Sequence, residues 1–318
     1  MPRCMLVFLL AVLPSSLSGA VPAVPDSGPA AENAFVAEAA RLFFPGLAPG
    51  QAPGVFQRAV HTAAYKASGR PSSRELDDSV RLSPLTNRQR EAAVVDLFRR
   101  AGAENVYTQP IGRSGQNNVI VIKPGLTDRT IVIGAHHDKV RAGHGTIDNW
   151  TGAAMVTNLY KAMKDVKTEH TLVFVTFGAE ESGFVGSEQF VSELSDAVRG
   201  RVDAMLNFDC LGMDGTFIGG DSPSLQRLAQ QVAKQGGHQL SGRNMDGGSD
   251  HQSFLGAGIP AIAVSGASPG ALGGTIHSPN DTYGQFDLQQ YEKNFDFSLD
   301  LLKAVDRSPP QQGAPGEG

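Results

Sequence analysis

Residues 130–138 read TIVIGAHHD, and residues 171–181 read TLVFVTFGAEE. Each is a continuous apolar run that stops abruptly at side chains able to bind protons or metal ions. A strand that is apolar at every position needs cover on both faces, which is the pattern of a parallel sheet and not of a half-exposed hairpin. When such strands end in HHD and EE, reactive groups collect at the carboxyl edge of the sheet. That edge is where open α/β sheets bind ligands.

Working outward, the pattern predicts further strands at 106–109, 118–122, 204–208 and 261–264. Helices are expected at 33–43, at 150–163, near 184–194, at 224–235 and at 288–305. Another opens at Thr86, with Gln89 three residues on as a capping box and Ala92, Val94 and Leu97 along one face. Residues 45–83 are punctuated by Gly and Pro and give no clear assignment. Helices alternating with apolar strands predict an α/β sheet covered by helices on both faces.

The two ends read differently. Arg3 precedes the apolar stretch MLVFLLAVL at 5–13, and Ser18-Gly19-Ala20 offers a cleavage site, so residues 1–20 are expected to be a signal peptide and the protein secreted or periplasmic. Residues 21–31, rich in Pro and Ala, read as a flexible lead-in, and 308–318 (SPPQQGAPGEG) as a disordered tail. One domain is expected over 32–307. No stretch approaches the roughly 20 apolar residues of a membrane span.

Composition narrows the function. The formal charge of −5 comes without a run of Lys or Arg, so nucleic acid is not an expected partner. Only Cys4 and Cys210 are present, and Cys4 would leave with the signal. A metal site here must therefore be built from His and carboxylates, which points to zinc or a similar divalent ion in a hydrolytic role. No feature of the sequence specifies an oligomeric state.

The candidate residues share a structural position. His136 and Asp138 follow one strand, Glu180 and Glu181 another, and Asp209 ends a third. His277 lies in the Gly-rich region after the strand at 261–264, and Asp148 opens the helix after the first of these strands. In extended chain residues i and i+2 point the same way, so Asp138 can accept the second ring N–H of His136 and fix its tautomer, while His137 points elsewhere and packs or meets solvent. Adjacent Glu180 and Glu181 splay apart, leaving one free to bind metal and the other to take a proton. Asp148 taken alone is a helix N-cap. An acid such as Asp209 at a buried strand end is costly unless it is paired or metal-bound.

In order along the chain, GAHHD, IDNWTGA, FGAEESGFVGSEQF, LNFD, SDHQSF and TIHSPNDT resemble the di-zinc aminopeptidase family of metallopeptidases, which includes bacterial leucyl aminopeptidases, aminopeptidase Y and the glutamate carboxypeptidases. The resemblance runs from about residue 130 to 283. It implies the zinc-dependent exopeptidase (phosphorylase/hydrolase-like) fold, three layers around a mixed, mostly parallel sheet. It further implies two zinc ions per chain: His136 and Asp209 on one, Glu181 and His277 on the other, Asp148 bridging. Glu180 would be the general base and Asp138 the residue orienting His136, with a peptide bearing a free N-terminus as substrate. Asp250 and His251 match a segment near the site without a ligand role. Trp150 stands where the family usually has a small residue, which suggests an altered substrate pocket, and the loop residue His144 lies near Asp148 in sequence. Three other readings stay open: a single-zinc glutaminyl cyclase, a carboxypeptidase for acidic peptides, and a binding protein on an inactive scaffold.

Overall fold

The computed structural model describes residues 69–243 and 248–308. The expected signal peptide, the lead-in, the helix at 33–43 and the tail beyond Ser308 lie outside the described residues. Eight strands form one sheet in the order β1-β2-β4-β3-β5-β8-β6-β7. They are β1 (Tyr107–Pro110), β2 (Asn117–Lys123), β3 (Thr130–His136), β4 (Thr171–Phe177), β5 (Val202–Asp209), β6 (Phe217–Gly219), β7 (Gly242–Arg243) and β8 (Ala261–Ser265). The centre, β4-β3-β5-β8, is parallel. β2 joins β4 and β6 joins β8 in antiparallel fashion, so the sheet is mixed with a parallel heart. Among the described residues no helix is long and apolar enough to cross a membrane.

The described helices are α1 (Ser73–Arg81), α2 (Asn87–Arg100), α3 (Thr151–Met163), α4 (Val185–Ser192), α5 (Asp196–Arg199), α6 (Pro223–Gly236), α7 (His251–Gly256), α8 (Pro269–Thr275) and α9 (Leu288–Asp306). Strand alternation divides the apolar residues between the two faces of the sheet. Ile131, Ile133, Leu172 and Phe174 pack with Leu76, Val94, Leu159 and Phe295 from α1, α2, α3 and α9. Val132, Val173, Val175 and Phe177 pack on the opposite face with Phe190 of α4 and Phe254 of α7. Both faces are thus buried, as continuous apolar strands require.

Several local expectations are revised. A complete capping box stands at α1, where Ser72 accepts from the N–H of Glu75 and Glu75 reaches back to the N–H of Ser72 at 2.9 Å. At α2 only half of that device forms. Thr86 accepts from the N–H of Gln89, but the Gln89 side chain meets the Thr86 hydroxyl instead of its backbone. Asp148 does not open a helix. It lies in an irregular turn, Thr146–Trp150, with φ −109° and ψ 94°, and α3 begins at Thr151.

Candidate metal centre

The C-terminal ends of three parallel strands bring the site together. His136 ends β3, Asp209 ends β5, and Glu180 and Glu181 form a tight turn just past β4. The loop after α8 adds His277, and the turn before α3 adds Asp148. His136 Nε2 lies 3.3 Å from Asp148, 3.6 Å from Asp209 and 3.8 Å from Glu180. His277 Nε2 is 3.0 Å from both Asp148 and Glu181. All six residues therefore converge, although 141 positions separate the first from the last.

Side chains around the donors explain the local conformation. Asp148 precedes Asn149, whose amide bonds to the carbonyl of Phe208 and to the N–H groups of Gly152 and Cys210. That side chain ties the Asp148 turn to the end of β5, next to Asp209. A Cβ on Gly152 would lie 2.4 Å from the carbonyl of Phe208, so the close approach of α3 to β5 requires glycine. Asp138 accepts the N–H groups of Glu180 and Glu181 at 3.1 and 3.3 Å, and its carboxylate faces His136 Nδ1 at 3.5 Å. The backbone is unusual at three places beside or within the donor set. Ala179, Cys210 and His277 take φ values of 56°, 56° and 55°, in the left-handed region that side chains avoid.

The electrostatics are those of crowded acids. Burial pushes the Glu180 carboxyl up, and Asp250, Asp209 and Asp148 push the same way against the imidazole of His136. Burial and then Asp148 likewise raise Glu181. His136 is driven up in spite of burial by Glu180 and Asp209, and His277 is pushed up to about 9, first by its bond to Asp148. Asp148 is held below the usual carboxylate range by His136 and His277, against its burial. Protons thus compensate a surplus of negative charge on one cluster of donors. Divalent cations would replace them: donor atoms of His136, Asp148 and Glu181 lie within 4.8 Å of one another, and so do those of His136, Glu180 and Asp209. The oxygen and imidazole donors fit zinc.

Other expected residues have settled positions. His137 is buried with Nδ1 3.2 Å from Thr176, and burial lowers its pKa to about 4, so it packs as a neutral side chain. His144 is exposed. Trp150 lies within the core. It is fully buried, donates its indole N–H to the carbonyl of Ser79 at 2.9 Å, and belongs to the core beneath α1 and α3. Four functional neighbours carried no assigned role in the sequence reading. These are Arg90, Asn149, Asp281, which accepts the backbone N–H of Asp148, and Asp250, a fully buried acid beside Glu180. The quoted segments contain all but Arg90. Adjacency to a ligand was the available signal.

Comparison with known proteins places the chain in a family. The chain is 30% identical over 199 residues to leupeptin-inactivating enzyme 1 of Streptomyces exfoliatus, a match covering 61% of this chain and 45% of the relative. It therefore spans about half the length of that relative. An aminopeptidase from Aneurinibacillus sp. strain AM-1 is similar in structure, with a TM-score of 0.55 and 28% identity over 63% of this chain and 50% of the other. An Acidobacteriales glutaminyl cyclase shares the fold, with a TM-score of 0.62 at 18% identity over 78% of this chain and 99% of that one. The sequence profile of peptidase family M28 matches residues 117–302, from the start of β2 to the last turns of α9. With more than half of its length matched, including every converging donor residue, the chain belongs to peptidase family M28.

Proposed function

We propose that this protein is a secreted zinc exopeptidase that removes residues from the free N-terminus of peptides. The observation that carries the reading is the convergence of His136, Asp148, Glu181, Asp209 and His277 around the bridging position of Asp148. In this reading His136 and Asp209 would hold one zinc, Glu181 and His277 a second, with Asp148 available to both. The aminopeptidase named among the similar structures supports the substrate class. The basic and then apolar opening of the chain supports export.

Zinc held by these residues would supply Lewis acidity, polarising the scissile carbonyl and making the attacking water more acidic. The protein's own groups do the rest. Glu180, whose burial raises its proton affinity, accepts the proton of that water and returns it to the leaving amine. Asp138 holds the Glu180–Glu181 turn by two backbone bonds, which fixes where the base carboxylate points. It also faces His136 Nδ1, leaving Nε2 directed at the other donors.

The test is a panel of aminoacyl fluorogenic substrates with N-blocked controls, run with and without chelator alongside zinc analysis. Cleavage of free but not blocked substrates, lost with chelator, at about two zinc ions per chain, is the expected result. One zinc per chain with ammonia released from N-terminal glutamine would assign cyclase chemistry instead. A metal-free chain without activity would make it a binding protein on this scaffold.

A further inference from the structure

The first turn of α2 reaches the metal centre from outside the family match, which begins at residue 117. Arg90 lies in that turn and is fully buried. Its Nε donates to the carbonyl of Pro84 at 3.0 Å and its Nη1 to that of His137 at 3.1 Å. Its Nη2 donates to the carbonyls of His144, at 2.9 Å, and Gly145. The guanidinium sits 5.4 Å from the centre of the Trp150 ring. Asn87, three residues earlier and so on the same helix face, accepts the N–H of Lys139 at 3.1 Å and donates to its carbonyl at 3.3 Å.

The gripped backbone groups belong to two separate loops. His137 stands between His136 and Asp138, and Lys139 follows them. His144 and Gly145 lead into the turn that carries Asp148. Gly145 shows how tightly the second loop is pressed in: at φ 64°, a Cβ there would come within 2.9 Å of Arg90 Nη2 and 2.8 Å of Lys139 Cβ. A planar guanidinium with five N–H donors can hold several carbonyls in fixed directions, whereas an ammonium on a flexible stem cannot reproduce that fan. Burying such a charge is costly, and here carbonyls compensate it together with the nearby carboxylates of Asp281, Asp148, Asp138 and Glu181.

We propose that Arg90, assisted by Asn87, is a positioning residue for the metal centre that sets the distance between the His136–Asp138 segment and the Asp148 turn. Metal affinity then depends on a helix that the family match does not include. The inference rests on the metal-site reading given above. Arg90 touches none of the donor atoms; it acts through the main chain on either side of them.

The experiment measures zinc content and affinity by competition with a chromophoric chelator in the full chain. It compares the wild type with Arg90→Lys, Asn87→Ala and Val94→Ala, the last removing a buried core contact of the same helix away from the loops. Arg90→Lys is expected to weaken zinc binding by about 10- to 100-fold, the scale on which groups behind metal ligands act. Asn87→Ala weakens it by a smaller factor, and Val94→Ala lowers the melting temperature while leaving zinc affinity at the wild-type value. Unchanged affinity in Arg90→Lys overturns the inference, as does an equal loss in Val94→Ala, which would mark general loosening. If Arg90→Lys does not fold, Asn87→Ala decides by the same criterion. A wild-type chain that takes up no zinc overturns the metal-site reading and this inference with it, whereas zinc-binding wild type with an unaltered Arg90 variant sinks the inference alone.

Discussion

Asp281 clasps the backbone that presents Asp148: its two carboxylate oxygens accept the N–H groups of Ile147 and Asp148, at 2.7 and 3.1 Å. Asp281 is itself buried, so its removal takes away the acceptor that both N–H groups use. Asp281→Ala is expected to strand two buried donors and destabilise the fold by about 2–5 kcal/mol. The urea midpoint of the purified variant checks this.

Glu180→Gln keeps the shape of the side chain and removes its ability to take a proton. Zinc content should match the wild type, and turnover on an aminoacyl substrate should fall by about 10²-fold or more. Wild-type turnover in this variant would dismiss Glu180 as the base.

Trp150 separates core from specificity. Since its indole is fully buried and bonded to the carbonyl of Ser79, Trp150→Phe should lower stability by about 1–3 kcal/mol. The order of preference across an aminoacyl substrate panel should not change. A reordered panel would return Trp150 to the pocket.

Acid sensitivity should have one source far from the site. Asp306, at the end of α9, accepts the N–H groups of Glu169 and His170 and faces the His170 ring. Burial opposes its ionisation, but these bonds outweigh it and hold the carboxyl below its usual range. The native state therefore binds this proton less readily than the unfolded chain. The resulting stability is complete above the ordinary aspartate pKa of about 3.9 and is lost as pH falls through the lower native value. Asp306→Asn should be less stable than wild type by about 1–2 kcal/mol at pH 7, with the gap in urea midpoint closing as pH falls below the ordinary aspartate range.

In the sheet's parallel centre, β3 and β4 were legible because each is an apolar run that leads straight into His, Asp or Glu, and β5 because its mostly apolar run ends on Asp209, while β8 showed only a short apolar run. β3 and β4 match the expected runs to within one residue. The short strands β6 and β7 carry too few residues for a periodic signal, α7 is brief, and α8 is both brief and Gly-rich. α1 did carry a signal, Ser72 with Glu75 three residues on, but it was obscured by the Gly and Pro around it. Of the six converging residues, His136, Glu180, Glu181 and Asp209 were legible through their places at or just past strand ends, and Asp148 and His277 through family likeness. Arg90 was not, because an arginine at a helix start reads as a surface charge. Only the folded loops reveal that three of its four carbonyl partners lie 47 to 55 positions away.

The left-handed backbone at Ala179, Cys210 and His277 sets a limit on how sturdy this protein can become. Each such residue costs on the order of 1 kcal/mol relative to a relaxed conformation, a burden that glycine would largely lift. Ala179→Gly is expected to hold or raise the melting temperature. His277 has no such escape, since glycine there would delete a donor. Endurance and chemistry therefore compete for the same few backbone torsions, and a lineage adapting to heat would find relief beside the donors before it found any in them.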